Sequence, residues 1–114
     1  MEFEVDVKEI LKKEGLVLLK CLYKEININI LTFYDINQTT LKVYINPRSF
    51  FLFSEGKDKN CFKAKILETK KGKILNSYVV KVYDKEMEVY SVDFFEDEVF
   101  LLFRPQDVML KGVK

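Results

Sequence analysis

The sequence predicts an all-β fold, two small Greek-key barrels in tandem with very little helix. Three observations lead to it. Apolar and polar residues alternate with period two along much of the chain, which is typical of strands with one buried face. No long segment has the periodicity of an amphipathic helix. The only two prolines, Pro47 and Pro105, lie in similar stretches, V-Y-I-N-P-R-S-F-F-L-F and V-F-L-L-F-R-P-Q-D-V-M-L, which indicates an internal repeat.

The first half begins with a strand over residues 2–12, where Phe3, Val5 and Val7 alternate with charged residues. Glu14-Gly15 interrupts the pattern, and the apolar run 16–23 predicts a hairpin partner covered on both faces. Further strands are predicted over residues 26–34, 41–45 and 50–53, with a polar connection at 35–39 that has room for one helical turn.

The second half repeats this order after a polar linker over residues 54–60, so the predicted barrels are residues 1–54 and 55–114. Its strands are predicted over residues 62–67, 74–83, 87–92 and 99–110, the last interrupted by the Arg104-Pro105 turn. Lys70-Lys71-Gly72-Lys73 forms a hairpin turn and residues 93–98 an acidic connection. About five short strands per half fit a closed barrel of the OB type, because closure removes exposed edges.

Composition excludes several classes of protein. The 19 basic and 18 acidic residues leave a net charge of +1, which argues against a generic polyanion binder. Cys21 and Cys61 lack metal-ligand or redox spacing and the chain has no His, so no metal site is predicted and both thiols are expected to be buried. The acidic N-terminus and the lack of a long apolar run predict neither a secretory signal nor membrane insertion, and hence a cytoplasmic protein.

Catalytic motifs are missing from the sequence. There is no His for general-base chemistry, no G-x-S-x-G and no phosphate-binding glycine loop. The carboxylates of residues 93–98 lack EF-hand spacing and are interpreted as a solvated loop. We therefore expect a protein that is not an enzyme.

The densest positive region runs from Lys57 to the lysine hairpin at residues 70–73. One interpretation is a solvated face, since lysines at alternate strand positions point to water. The other is a face that binds single-stranded nucleic acid, with Phe62 or nearby tyrosines as stacking surfaces.

Three segments carry a family resemblance. V-Y-I-N-P-R-S-F-F-L-F-S resembles V-Y-V-R-P-E-D-I-I-L-S, K-D-K-N-C-F-K-A-K-I resembles S-A-R-N-x-x-K-G-K-V, and F-R-P-Q-D-V-M-L resembles R-P-E-D-I-x-L. In order and spacing these are similar to the C-terminal TOBE or MOP-like (molybdenum-pterin-binding-protein-like) tandem OB barrels of molybdate/tungstate-type ABC transporter ATPases, which are related to those of the maltose type.

The resemblance implies an oxyanion site made by Lys59, Asn60 and Lys63, with Lys65 as a further candidate. Lysines would supply charge and Asn60 an amide donor; alternatively, Asn60 only fixes the start of the strand. This chain has Lys57 where the family has Ser, and Ala64 where it has Gly. The structural corners that close the barrels are assigned to Pro47, Arg104, Pro105 and Asp107.

By resemblance, the chain is a non-catalytic regulatory or molybdate/tungstate-sensing domain associated with an ABC transporter ATPase. The Walker A motif G-x-x-x-x-G-K-[ST] is missing, so this segment does not itself hydrolyse ATP. Expected partners are a second copy, in a homodimer or higher closed oligomer, and the transporter ATPase or its other subunits; molybdate or tungstate is the expected ligand, with no cofactor. The alternatives are an OB-fold single-stranded nucleic-acid-binding protein and a ligand-free oligomerisation domain.

Overall fold

The computed structural model describes residues 1–112, which form ten strands in two five-stranded antiparallel sheets. Within these residues there is no α-helix, only two 3₁₀ turns at Pro47–Ser49 and Pro105–Asp107. The predicted all-β fold class is confirmed. The last two positions of the predicted second barrel, 113 and 114, lie outside the described residues.

The first sheet has the strand order β10-β4-β1-β2-β3. Its strands are β1 (Glu2–Lys13), β2 (Leu16–Tyr23), β3 (Ile26–Thr32), β4 (Thr40–Ile45) and β10 (Val108–Leu110). The second sheet has the order β5-β9-β6-β7-β8. Its strands are β5 (Phe51–Phe53), β6 (Cys61–Lys70), β7 (Asn76–Val82), β8 (Lys85–Ser91) and β9 (Glu98–Leu102).

The short strands decide how the chain is divided. β5, from the first half of the sequence, pairs with β9, whereas β10, from the second half, pairs with β4. The first unit therefore comprises residues 2–45, 58–60 and those from Arg104, and the second unit comprises residues 1, 46–57 and 61–103. The expected boundary between residues 54 and 55 does not coincide with this division, because each half contributes its last short strand to the sheet of the other.

The internal repeat is visible in the strand irregularities. β1 has a register shift between Val7 and Glu9, and β6 has one between Ile66 and Glu68. At both places a backbone N–H at the shift donates to a carbonyl of a connection between strands. The Val7 N–H bonds to the Thr39 carbonyl, just before β4, at 2.8 Å, and the Ile66 N–H bonds to the Asp97 carbonyl, just before β9, at 2.7 Å. Such bulges bend a strand, which a five-stranded sheet needs in order to curl.

One face of each sheet forms a core. In β2 the residues Val17, Leu19, Cys21 and Tyr23 are buried, while the residues between them are partly exposed. The expectation that β2 is covered on both faces is therefore wrong: its outward apolar side chains retain contact with solvent. Both cysteines are buried as expected, and burial raises the pKa of the Cys21 thiol to about 11.

The second unit has an aromatic core. The Phe62 ring stacks on Phe103 at 5.1 Å between centroids and meets the edge of Phe50 at 6.2 Å. Tyr78 is fully buried, and its hydroxyl donates to the Asp93 carbonyl at 2.8 Å and accepts from the Phe95 N–H at 3.1 Å. This hydroxyl thereby holds the connection between β8 and β9.

Replacing Tyr78 by phenylalanine is expected to lower the free energy of unfolding by about 1–2 kcal/mol, because the hydrogen bonds of the hydroxyl to the Asp93 carbonyl and from the Phe95 N–H are lost at a part-buried site. Hydrogen exchange at the Phe95 amide should also accelerate. Urea denaturation and amide exchange measure the two effects. Tyr34→Phe, at a half-exposed tyrosine, is the control, and equal losses in both variants would contradict the prediction.

Two local predictions are wrong. β7 begins at Asn76, not at residue 74 as predicted. The Asn76 side chain accepts a hydrogen bond from the Gly72 N–H at 3.3 Å, and this bond keeps residues 74 and 75 in the turn before the strand. Residues 35–39 contain no helical turn; they run in an irregular connection from which Ile36 inserts into the core at 2% exposure. Among the described residues there is no helix with the length and apolarity needed to cross a membrane.

Candidate functional site

The four predicted oxyanion residues are divided between the two units. Lys59 and Asn60 belong to the first unit, whereas Lys63 and Lys65 lie on β6 of the second unit. Neither unit therefore brings all four together by itself. Each pair has a distinct local geometry.

Asn60 is held against β3 by its backbone and its side chain. Its N–H donates to the Asn27 carbonyl at 3.0 Å. Its Oδ1 accepts from the Asn29 N–H at 2.6 Å, and its Nδ2 donates to the Asn29 carbonyl at 3.0 Å. The side-chain amide thus bonds to Asn29 as a neighbouring strand would, and Asn60 is 6% exposed. Since most of its bonding capacity is used, this geometry favours the anchoring role for Asn60.

Asn60 also adopts a left-handed backbone conformation, with φ of 51°. Asparagine and glycine reach this region at lower cost than other residues, so the backbone explains part of the choice of residue. The preceding residue, Lys59, forms an isolated parallel bridge with Asn27. Its side chain is exposed and has no ion-pair partner within residues 1–112.

Lys63 and Lys65 project from the solvent face of β6, on either side of the buried Ala64. Lys63 Nζ lies 3.3 Å from Glu98 Oε2, and Lys65 is directly opposite Glu98 in the β6–β9 ladder. One carboxylate therefore faces two lysines, which leaves an excess of positive charge. Because the Lys63–Glu98 pair is solvent-exposed, it contributes little to stability and is open to competition by an anion.

At the position of the family's serine, Lys57 offers its backbone rather than a hydroxyl. Its N–H donates to the Cys61 Sγ at 3.5 Å, a weak bond that ties the end of the linker to the start of β6. Burial raises the pKa of the Cys61 thiol, while this bond and the Lys57 charge oppose that shift.

The two proline corners are built differently. Pro105 opens the second 3₁₀ turn, where Arg104 Nε and Nη2 donate to the two carboxylate oxygens of Asp107 at 2.8 and 3.0 Å. Pro47 opens the first turn, where the Asn46 Oδ1 accepts from the Arg48 N–H at 3.0 Å. One turn is closed by an ion pair and the other by an asparagine cap.

The Arg104 guanidinium lowers the pKa of Asp107 by hydrogen bonding and by charge. A carboxylate with a depressed folded-state pKa stabilises the fold above its ordinary pKa of about 3.9, and that contribution is lost as the pH falls through the lower folded-state value. Arg104→Gln should therefore raise the Asp107 pKa, measured by NMR titration of the carboxyl carbon. Lys81→Gln serves as a control, and an unchanged Asp107 pKa in Arg104→Gln would contradict the prediction.

A cavity of about 320 Å³ in the second unit was not predicted from the sequence. It is lined by Pro47, Arg48, Phe50, Leu75 and Tyr90. The Arg48 guanidinium carbon lies 5.9 Å from the Tyr90 ring centroid, and the Tyr90 hydroxyl donates to Glu88 at 2.8 Å. This hydrogen bond raises the pKa of Tyr90. One feature of the sequence could have pointed to this cavity: R-P-Q-D contains an acidic partner for its arginine, whereas N-P-R-S leaves Arg48 without a nearby acidic residue.

The lysine hairpin carries one aromatic contact: Lys71 Nζ lies 4.7 Å from the Phe94 ring centroid. Ile74 is 84% exposed beside it in sequence. A single-stranded nucleic-acid face would need several such aromatic and basic positions along one groove. Nucleic-acid binding stays an untested alternative.

Comparison with solved structures finds a protein of the same fold. The chain is similar to the cytoplasmic molybdate-binding protein ModG, in a crystal form with molybdate bound, with a TM-score of 0.70. The match covers 100% of this chain and 96% of the ModG chain, at 9% sequence identity. At that identity the likeness establishes the fold. No protein-family model matches the sequence, and no curated protein matches it.

Proposed function

We propose that this protein is a non-catalytic oxyanion-binding protein whose ligand is molybdate or tungstate. The observation that carries the proposal is the likeness to ModG over nearly its whole length, because in that protein the matched fold makes up almost the entire molybdate-binding chain. The K-D-K-N-C-F-K-A-K-I segment supports the same assignment, since it resembles the family's S-A-R-N-x-x-K-G-K-V.

Within this proposal the predicted residues take different roles. Lys59, Lys63 and Lys65 provide the positive charge that attracts a tetrahedral dianion, and backbone N–H groups complete its hydrogen-bond shell. Asn60 acts as a positioning residue, because its amide holds residues 58–60 against Asn29. Glu98 competes with the anion for Lys63.

Isothermal titration with sodium molybdate and sodium tungstate tests the proposal. Lys63→Gln and Lys65→Gln should each weaken binding about tenfold, as expected for loss of one charge-assisted contact. Glu98→Gln should strengthen binding, since it removes the competing carboxylate. Lys13→Gln, which removes an exposed charge from the end of β1, is the matched control. No heat at millimolar molybdate or tungstate would refute the proposal.

We further propose that the protein acts in the cytoplasm as a homodimer or higher closed oligomer, with an ABC transporter ATPase as its regulatory partner. This extension rests on the sequence resemblance to the accessory barrels of such ATPases. Sedimentation at several protein concentrations, with and without molybdate, tests self-association. Co-purification with the transporter ATPase in the presence of molybdate tests the partner, and a monomer that fails to co-purify would contradict both parts.

A further inference from the structure

Arg48 stands out among the arginines because nothing in its own turn requires its guanidinium. The Asn46 side chain already caps the Pro47–Ser49 turn by accepting from the Arg48 backbone N–H. In the equivalent Pro105–Asp107 turn no such cap exists, and the Arg104–Asp107 pair joins the ends instead. The repeat thus provides an internal comparison: Arg104 is used in its turn, whereas Arg48 is not.

The Arg48 guanidinium has no carboxylate partner among residues 1–112; it lies over the ring of Tyr90. The hydrogen bond from the Tyr90 hydroxyl to Glu88 holds that ring on β8. A guanidinium over an aromatic face keeps its in-plane N–H donors free for an acceptor. The pair therefore presents a positioned hydrogen-bond donor for an anion at the edge of the cavity.

The other walls of the cavity are apolar. Phe50 is buried at its base, and Pro47 and Leu75 complete the lining. A volume of about 320 Å³ suits a small organic molecule, and Arg48 is the only charged residue that residues 1–112 contribute to the lining. An inorganic oxyanion would satisfy the guanidinium but leave the apolar walls without contact.

We propose that this cavity binds a small organic anion, a carboxylate attached to a planar or apolar group. The carboxylate pairs with the Arg48 guanidinium through two parallel hydrogen bonds, while the apolar group packs on Phe50, Pro47 and Leu75. Two kinds of ligand have these groups: a free aromatic acid, and the C-terminus of a peptide whose last residue is apolar.

The repeat predicts one such site per chain. Position 48 corresponds to Gln106 in the other proline turn, and Tyr90, the sixth residue of β8, corresponds to Leu31, the sixth residue of β3. The equivalent corner therefore lacks both the charge and the aromatic ring. The site also differs from the proposed oxyanion residues Lys59, Lys63 and Lys65, so either proposal can fail without the other.

Titration of the ¹⁵N-labelled full chain, followed by NMR, tests the site with four probes: benzoate, benzyl alcohol, N-acetyl-leucine and inorganic phosphate. Benzoate should shift the amides of Arg48, Leu75 and Tyr90. Benzyl alcohol, which lacks the charge, and phosphate, which lacks the apolar group, should each bind about tenfold more weakly. Tighter binding of N-acetyl-leucine than of benzoate would assign the site to a peptide C-terminus, and the reverse to a free aromatic acid.

Variants make the assignment specific. Arg48→Gln should weaken benzoate binding about tenfold. Arg48→Lys should have an affinity between those of Arg48→Gln and the parent chain, because lysine keeps the charge but lacks the two parallel N–H donors of the guanidinium. Lys81→Gln should bind benzoate as the parent chain does. The spectrum of each variant without ligand establishes that it is folded. Benzoate binding that is unchanged in folded Arg48→Gln, shifts confined to other residues, or no binding of either acid would overturn the proposal.

Discussion

Replacement of Phe62 by alanine is expected to lower the free energy of unfolding by about 4 kcal/mol. The Phe62 side chain is fully buried, and it packs between Phe103 and Phe50 with centroid distances of 5.1 and 6.2 Å. Its removal loses the transfer free energy of the ring and leaves a cavity that the surrounding sheet fills only in part. Two aromatic contacts are lost as well. Urea denaturation followed by circular dichroism measures the change.

Phe51→Ala is the matched control for Phe62→Ala. Phe51 lies on β5 of the same unit but is 52% exposed, so its truncation should cost less than about 1 kcal/mol. Phe62→Leu keeps most of the apolar volume, so its loss in free energy of unfolding should lie between the losses of the two alanine variants. Similar losses for Phe51→Ala and Phe62→Ala would contradict the assignment of Phe62 to the core.

Replacement of Asn60 by alanine is expected to destabilise the protein by about 3 kcal/mol. The change leaves the Asn29 N–H and carbonyl without their partner at a site that is 6% exposed. It also places a residue with a Cβ and no compensating hydrogen bond at φ of 51°. Urea denaturation gives the total loss, and amide exchange at Asn29 reports where it occurs.

A glycine variant separates the two contributions at position 60. Asn60→Gly removes the hydrogen bonds but relieves the backbone strain, so it should lose about 1 kcal/mol less than Asn60→Ala. Asn37→Ala, at an exposed asparagine of an irregular connection, is the control and should be almost neutral. If Asn60→Ala were equally neutral, the anchoring role of Asn60 would be wrong.

Local pattern was sufficient for most of the secondary structure. Two alternating patterns, one from Glu2 onward and one at Ile26, Ile28 and Ile30, predict which side chains point inward. The strands β1 and β3 are found at these two segments. The same rule misplaced the start of β7, because Ile74 and Leu75 continue an apolar run while the Gly72–Asn76 bond keeps them in a turn. Periodicity describes strand faces, whereas turn bonds decide where a strand begins.

The candidate site was only partly visible in the sequence. The family resemblance implied Lys59, Lys63 and Lys65 as oxyanion candidates, but the role of Asn60 depends on Asn29, which lies far away along the chain. Arg48 was not singled out from the sequence, in which N-P-R-S and R-P-Q-D occupy equivalent places. Only the side-chain geometry separates the paired Arg104 from Arg48, whose guanidinium lies over Tyr90.

The sequence by itself determined that this protein is all-β and that its two halves repeat around Pro47 and Pro105. Only the tertiary structure decided where the short strands belong: β5 pairs with β9 and β10 with β4. Each has a single buried residue, Leu52 or Val108, so local pattern does not choose between two sheet edges. Period-two alternation specifies which face of a strand is buried, but the pairing partner is selected by backbone hydrogen bonds and packing with residues distant in sequence.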